Sequence, residues 1–219
     1  MSKVNHTLYI SIIFALCAVL CVIVGHNYKE SHKDNKITNY VEYAQLKTAE
    51  LKYWETKGLL ADEVNTYIKK YAPTSSLCAA ILVEECEHYD VDIKLVLAQG
   101  HQESHFGTKG LGAKTNSIWN VGAYDGLSYN EIHKKHVFHN PNESIKPYLE
   151  LLTTKYLTSK KSEIDLLSNF VSVDGKRYAS SPDYETLLTN KYNVISAETK
   201  IDSLQEVLRY WAIQSNRDY

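Results

Sequence analysis

The sequence predicts a mainly α-helical domain with one small irregular or β-hairpin insertion, preceded by an N-terminal transmembrane helix. Three observations carry this expectation. Residues 8 to 25, LYISIIFALCAVLCVIVG, hold no charge. Beyond residue 40, apolar side chains return at three- and four-residue intervals in one segment after another, which is the period of a helix face. Between Gly107 and Pro141 that period is lost and Gly, Asn and Asp punctuate the chain, the pattern of loops and a short hairpin.

Eighteen helical residues reach about 27 Å, near the thickness of a bilayer's hydrocarbon core. Lys3 and the amino terminus precede the run, which favours a cytoplasmic N-terminus with the rest of the chain outside the cytoplasm; Lys29 and Lys33 weaken the asymmetry. The alternative is secretion after cleavage of a signal peptide. VIVGHN offers no A-x-A-like cleavage site, and Leu20 before Cys21 is not a lipoprotein signal. The expected organisation is an anchor over 1–25, a polar linker over 26–39 and a folded domain over 40–219.

Within that domain the spacing of Ala44, Ala49 and Tyr53, then Leu59, Leu60, Val64 and Ile68, predicts two helices divided near Gly58, with Pro73 ending the second. Ser75 or Ser76 is placed to cap a helix carrying LCAAILVEECEHY, and Asp90 or Asp92 to cap one carrying IKLVLAQGHQESHF. After the irregular insertion, helices resume with ESIKPYLELLTTKY, SEIDLLSNFV, DYETLLTNKY and DSLQEVLRYWAI.

The formal charge of −2 comes from 24 basic and 26 acidic residues that are well mixed, so no basic face for nucleic acid is expected. The 17 tyrosines would suit a carbohydrate cleft but also ordinary half-buried packing. Cys78 and Cys86 fall eight residues apart on one helix, about 12 Å, beyond the reach of a disulfide, and read as small apolar packing residues.

GHQESHFG, residues 100 to 107, places His101 and His105 four apart around Glu103. A zinc protease needs H-E-x-x-H. Here H-Q-E-S-H puts the glutamate on the helix face opposite His101, where it cannot serve a metal-bound water; His133, His136 and His139 are weak candidates for a third ligand. No cofactor is called for. Glu103 instead continues the stripe of Val96 and Gln99, near the end of a helix that Gly107 is placed to terminate. Partial burial and the negative end of the helix dipole both raise a carboxyl pKa, as a general acid requires.

VDIKLVLAQGHQESHFGTKGLGAKTNSIWNVGAYDG, with ESIKPYLELL and KRYASSPDYETLL following in order, resembles the glucosaminidase domain of bacterial autolysins, flagellar muramidase-like hydrolases and phage lysins. The resemblance spans about residues 75 to 195. It implies a lysozyme-like helical fold and hydrolysis of the β-1,4 bond after N-acetylglucosamine in peptidoglycan, with glycan strands as the partner and the membrane held through residues 8–25. Glu103 matches the family's catalytic acid and Tyr178 the tyrosine that faces the same cleft. Trp119 and Asn120 match an aromatic-asparagine pair expected to contact the sugar by stacking and by hydrogen bonding to an acetamido group. Trp119 also fits core packing. Ser104 and Phe106, from the glutamate-serine and aromatic positions, join the expected substrate contacts.

A second catalytic group is not singled out by the sequence: Asp125, Glu131 or the substrate's own acetamido group can serve, and Glu143 reads as a helix-start residue. The runners-up are a lytic transglycosylase using the same glutamate and a non-catalytic glycan-binding or assembly protein of the same shape. Histidines flanking the acid, and the lack of a recognisable wall-binding repeat, depart from commoner members of the family.

Overall fold

The computed structural model describes residues 34–122, 137–158 and 161–217, with side chains from residue 40 onward. The hydrophobic run 8–25 therefore lies outside the described residues, among which no helix is long and apolar enough to cross a membrane. The chain divides into two compact units at Lys47. Of the first, the start of helix α1 is described, where the Lys47 ammonium lies 5.8 Å from the centre of the Tyr43 ring. The second unit, Thr48–Tyr219, holds the core.

Helix α1 runs unbroken over Asp34–Tyr71, so its first turns include the end of the stretch read as a linker. The expected division near Gly58 is corrected. Gly58 is exposed, with nothing within 4 Å of where a Cβ would stand, and an interior glycine costs a helix only about 1 kcal/mol. Tyr53, Leu60, Val64, Tyr67 and Ile68 are buried along one face of α1, and each such side chain contributes about 1.5–3 kcal/mol. Packing outweighs the glycine. Pro73, which also clashes with a continuing helix, follows the end at Tyr71 as expected.

Helix α2 spans Ala79–His88 and α3 Ile93–Ser104. Neither Ser75 nor Ser76 caps α2, whose N-cap is Cys78; the Cys78 amide donates instead to Asn142 Oδ1 at 2.6 Å. Ser75 accepts from the Leu77 amide and donates to the Phe106 carbonyl at 2.7 Å, tying this turn to the exit of α3. Asp92 does cap α3, accepting from the Lys94 amide at 2.8 Å. Cys78 and Cys86 are free thiols, as the helical spacing requires.

The described part of the insertion holds turns and a single short helix, α4, Gly112–Thr115, but no strand; residues 123–136 lie outside the described residues. The one bridging pair of extended residues found among the described ones is elsewhere, between Val171 and Arg177. A 3₁₀ turn, Pro141–Ser144, leads into α5, Ile145–Leu151, and a π turn, Leu152–Tyr156. Helices α6 (Glu163–Ser168), α7 (Tyr184–Glu198) and α8 (Ile201–Gln214) complete a mainly helical fold. Ser162 and Asp165 form a capping box on α6.

α3 is the central element. Ten of its twelve residues are buried, so it has no solvent stripe, and its most extensive packing is against α7. Lys94 is the exception that shows the cost of such a position: its ammonium reaches Asp202 Oδ1 at 2.6 Å, Ser196 Oγ at 3.1 Å and the face of Tyr192 at 4.2 Å. A buried cation persists where partners replace its lost water.

Candidate active site

The site is built on the way α3 ends. The helix stops at Ser104, and His105, Phe106 and Gly107 all take left-handed backbone, with φ of 48°, 53° and 79°. The chain thus leaves the helix two residues before the glycine expected to terminate it. The His105 amide donates to the His101 carbonyl and the Phe106 amide to the Gly100 carbonyl, closing the helix end. Left-handed backbone costs a residue such as Phe106 about 1–2 kcal/mol, which the near-complete burial of its ring offsets.

The insertion then folds back over α3. Ser104 Oγ donates to the Ile118 carbonyl at 2.7 Å and accepts from the Gly107 amide at 2.8 Å. Two glycines permit the approach. A Cβ on Gly112 would stand 2.4 Å from Ser104 Cβ, and one on Gly100 would stand 3.1 Å from the indole nitrogen of Trp119. That indole N–H donates to the Val96 carbonyl at 2.9 Å, and the ring stacks on Tyr148 with centroids 4.5 Å apart.

With Trp119 held inside, the next residue is turned toward the helix end. Asn120, at φ 52°, donates from Nδ2 to Glu103 Oε2 at 2.9 Å and to the Glu103 carbonyl at 3.3 Å. Tyr184, at the first turn of α7, donates its hydroxyl to Glu103 Oε1 at 2.7 Å and accepts from Gln99 Nε2 at 3.0 Å. Tyr148 donates in turn to Gln99 Oε1. Glu103 therefore ends a chain of hydrogen bonds that begins in the core.

Burial raises the pKa of Glu103, against the lowering effect of the bonds from Tyr184 and Asn120. Tyr184 is held well above the ordinary tyrosine value, first by burial and then by the charge of Glu103, so it remains a donor. The Oδ1 atom of Asn120 is buried and has no hydrogen-bond partner among the described residues. A carboxyl disposed to keep its proton, beside an unused amide acceptor, can protonate a leaving oxygen and receive an N–H from a ligand.

The other expected site residues divide between core and surround. Trp119 is fully buried, so its stacking partner is Tyr148 and its ring has no face for a sugar. Phe106 and Ser104 are likewise buried and serve the helix exit rather than a substrate. In each case the reason is the same: the insertion closes over these side chains. Tyr178 is half-buried, donates to the Trp119 carbonyl and lies among Tyr156, Phe170 and Tyr184; its ring is 6.0 Å from that of Tyr184. Asp125 and Glu131 lie outside the described residues, as do His133 and His136.

Tyr184 was not among the expected site residues. It is the second tyrosine of the KRYASSPDY stretch, six residues after Tyr178, and only the packing of α7 on α3 brings it to the carboxyl. Glu143 acts at a helix start, accepting from Asn140 Nδ2 at 2.8 Å and from the His139 amide at 3.1 Å. His101 faces away from Glu103, with Nδ1 3.2 Å from the Tyr67 hydroxyl. Burial, together with the nearby Lys191, His105 and Lys109 charges, lowers its pKa to about 4.

No curated protein and no solved structure matches this chain. The family model described as mannosyl-glycoprotein endo-β-N-acetylglucosaminidase matches residues 79–196, more than half of the chain and the part that contains Glu103, Asn120, Tyr178 and Tyr184. The chain belongs to the glucosaminidase family, whose members are glycan-cleaving hydrolases.

Proposed function

We propose that this protein is a peptidoglycan hydrolase that cleaves the β-1,4 bond after N-acetylglucosamine, with Glu103 as general acid and a lysozyme-like helical frame around it. The observation that carries the reading is the environment of Glu103: a part-buried carboxyl at a helix end, raised in pKa by burial and gripped by Tyr184 and Asn120. Protonated Glu103 transfers its proton to the glycosidic oxygen as the bond breaks, the other sugar leaves as a neutral alcohol, and positive charge develops at the anomeric carbon of the N-acetylglucosamine left behind.

Asn120 Oδ1 is the acceptor for the acetamido N–H of an N-acetylated sugar, which gives the site a reason to prefer that substituent. Tyr178 supports the same corner by holding the Trp119 carbonyl, one bond from Asn120. The water or the developing cation is served by Asp125, by Glu131 or by the substrate's acetamido oxygen. Residues 8–25 anchor the chain in a membrane with the catalytic domain on the extracytoplasmic side, where peptidoglycan lies.

Detergent-solubilised full-length chain incubated with purified sacculi should release reducing sugar ends, and Glu103→Gln should slow that release by about a hundredfold or more. Mass spectrometry of the fragments separates hydrolysis from transglycosylation, since an anhydro product is lighter by one water. Binding to sacculi without release of any sugar would reject catalysis altogether.

A further inference from the structure

A concavity flanks the helix that carries Glu103. It is a groove of about 510 Å³ between the end of α1, α3 and α7, within the size range of small-molecule sites. Its walls are apolar, formed by Tyr71, Leu187 and Val194; the last two are 48% and 39% exposed. Gln102, next in the chain to Glu103, and Asn190 supply amides, and Lys191 supplies the cation.

Lys191 stands apart from the other lysines that are withdrawn from water. Lys57 is paired with Glu84 and Glu87, and Lys94 with Asp202. Half-buried Lys191 has no carboxylate or hydrogen-bond partner among the described residues. The Glu198 carboxylate, also on α7, is already engaged by Lys70 at 2.8 Å and by the Tyr71 hydroxyl at 2.7 Å. Burial lowers the pKa of Lys191, and after burial its charge is the foremost of those that lower the pKa of His101, which also lines the groove. A partly desolvated ammonium with no counter-charge is unfavourable, and a bound anion would relieve it.

We propose that this groove binds a carboxylate-bearing peptide attached to the glycan, with Lys191 pairing the carboxylate, Gln102 and Asn190 bonding the peptide amides, and Leu187 and Val194 covering its side chains. This rests on the peptidoglycan reading of Glu103 and deepens it. The single cation favours a carboxylate on an otherwise apolar ligand; a phosphate would draw several donors or more than one cation into the groove. With His101 in its wall, the groove opens on a different face of α3 from the Glu103 carboxyl; Gln102, about 100° around the helix from Glu103, marks the edge over which a stem hanging from the sugar strand passes into it.

The test uses full-length chain in detergent, labelled for amide NMR, and N-acetylmuramoyl-L-alanyl-D-isoglutamine, which has one free carboxylate. The probe should shift the amides of Leu187, Lys191 and Val194. Its carboxamide should bind about tenfold more weakly, as should the acid probe to Lys191→Gln, while Lys191→Arg keeps the affinity. Equal binding of acid and carboxamide, insensitivity to Lys191→Gln, shifts confined to residues around Glu103, or the same shifts from inorganic phosphate alone would each overturn the proposal. On sacculi, Lys191→Gln should raise KM and leave kcat unchanged. If parent and variant digest sacculi with equal KM, the groove assignment fails and the hydrolase reading stands. If the parent digests nothing yet binds the probe through Lys191, the hydrolase reading fails and the groove stands.

Discussion

Tyr184 donates its hydroxyl to Glu103 Oε1 at 2.7 Å, joining two residues 81 positions apart through the packing of α7 on α3. That bond favours the carboxylate over the acid, whereas burial favours the acid, and burial prevails. Tyr184→Phe removes the bond and leaves the burial. The pKa of Glu103 then rises further, so the basic limb of the pH–activity curve, which reports loss of the proton, moves to higher pH. Digestion of sacculi across the pH range measures it; a limb that stays or moves to lower pH refutes the assignment.

Glu103→Gln should lower the rate of sugar release by about a hundredfold to ten-thousandfold, the usual contribution of a positioned general acid. Stability should respond in the opposite sense. With its native pKa raised, Glu103 binds more protons in the folded than in the unfolded chain, so its contribution to stability falls as pH rises from the ordinary carboxylate range through the native value. Thermal melts should find the variant at least as stable as the parent at pH 7, with any advantage vanishing in acid.

Two glycines give a matched pair of expectations. Gly112→Ala forces a Cβ to 2.4 Å from Ser104 Cβ and should cost about 1–3 kcal/mol in denaturant unfolding, together with activity, because Ser104 holds the turn that presents Asn120. Gly58→Ala meets open space in the interior of α1 and should stabilise by about 0.5–1 kcal/mol.

His101 should make the fold sensitive to acid. Its native pKa is lowered to about 4 by burial and then by Lys191, His105 and Lys109. Between that value and its ordinary value of 6.5, the unfolded chain binds the proton and the folded chain does not, so stability declines as pH falls through this window. The difference between the melting curves of the parent and His101→Gln over pH 4 to 7 isolates this contribution; a flat difference would contradict it.

The histidines also explain how much of the site was readable in advance. Helical geometry alone separates His101 from Glu103, and the structure gives them different partners, Tyr67 on one side and Asn120 with Tyr184 on the other. The stripe of Val96, Gln99 and Glu103 follows from the same periodicity, and so does the failure of Cys78 to reach Cys86. The caps divide more finely. Asp92 acts two residues along the chain and was legible, whereas Asn142 reaches Cys78 across 64 positions and was not.

By itself, the sequence determined the helical class, the helix that carries Glu103 and the family motifs around it, because each is a consequence of local periodicity or of residues near in the chain. Only the tertiary structure decided which motif side chains are available to a ligand. Trp119, Phe106 and Ser104 sit in the same short stretches as Glu103 and Asn120, yet the insertion folds over the first three and leaves Tyr184, from a distant helix, on the carboxyl. Burial of that kind depends on what packs above a residue, and no spacing along the chain encodes it.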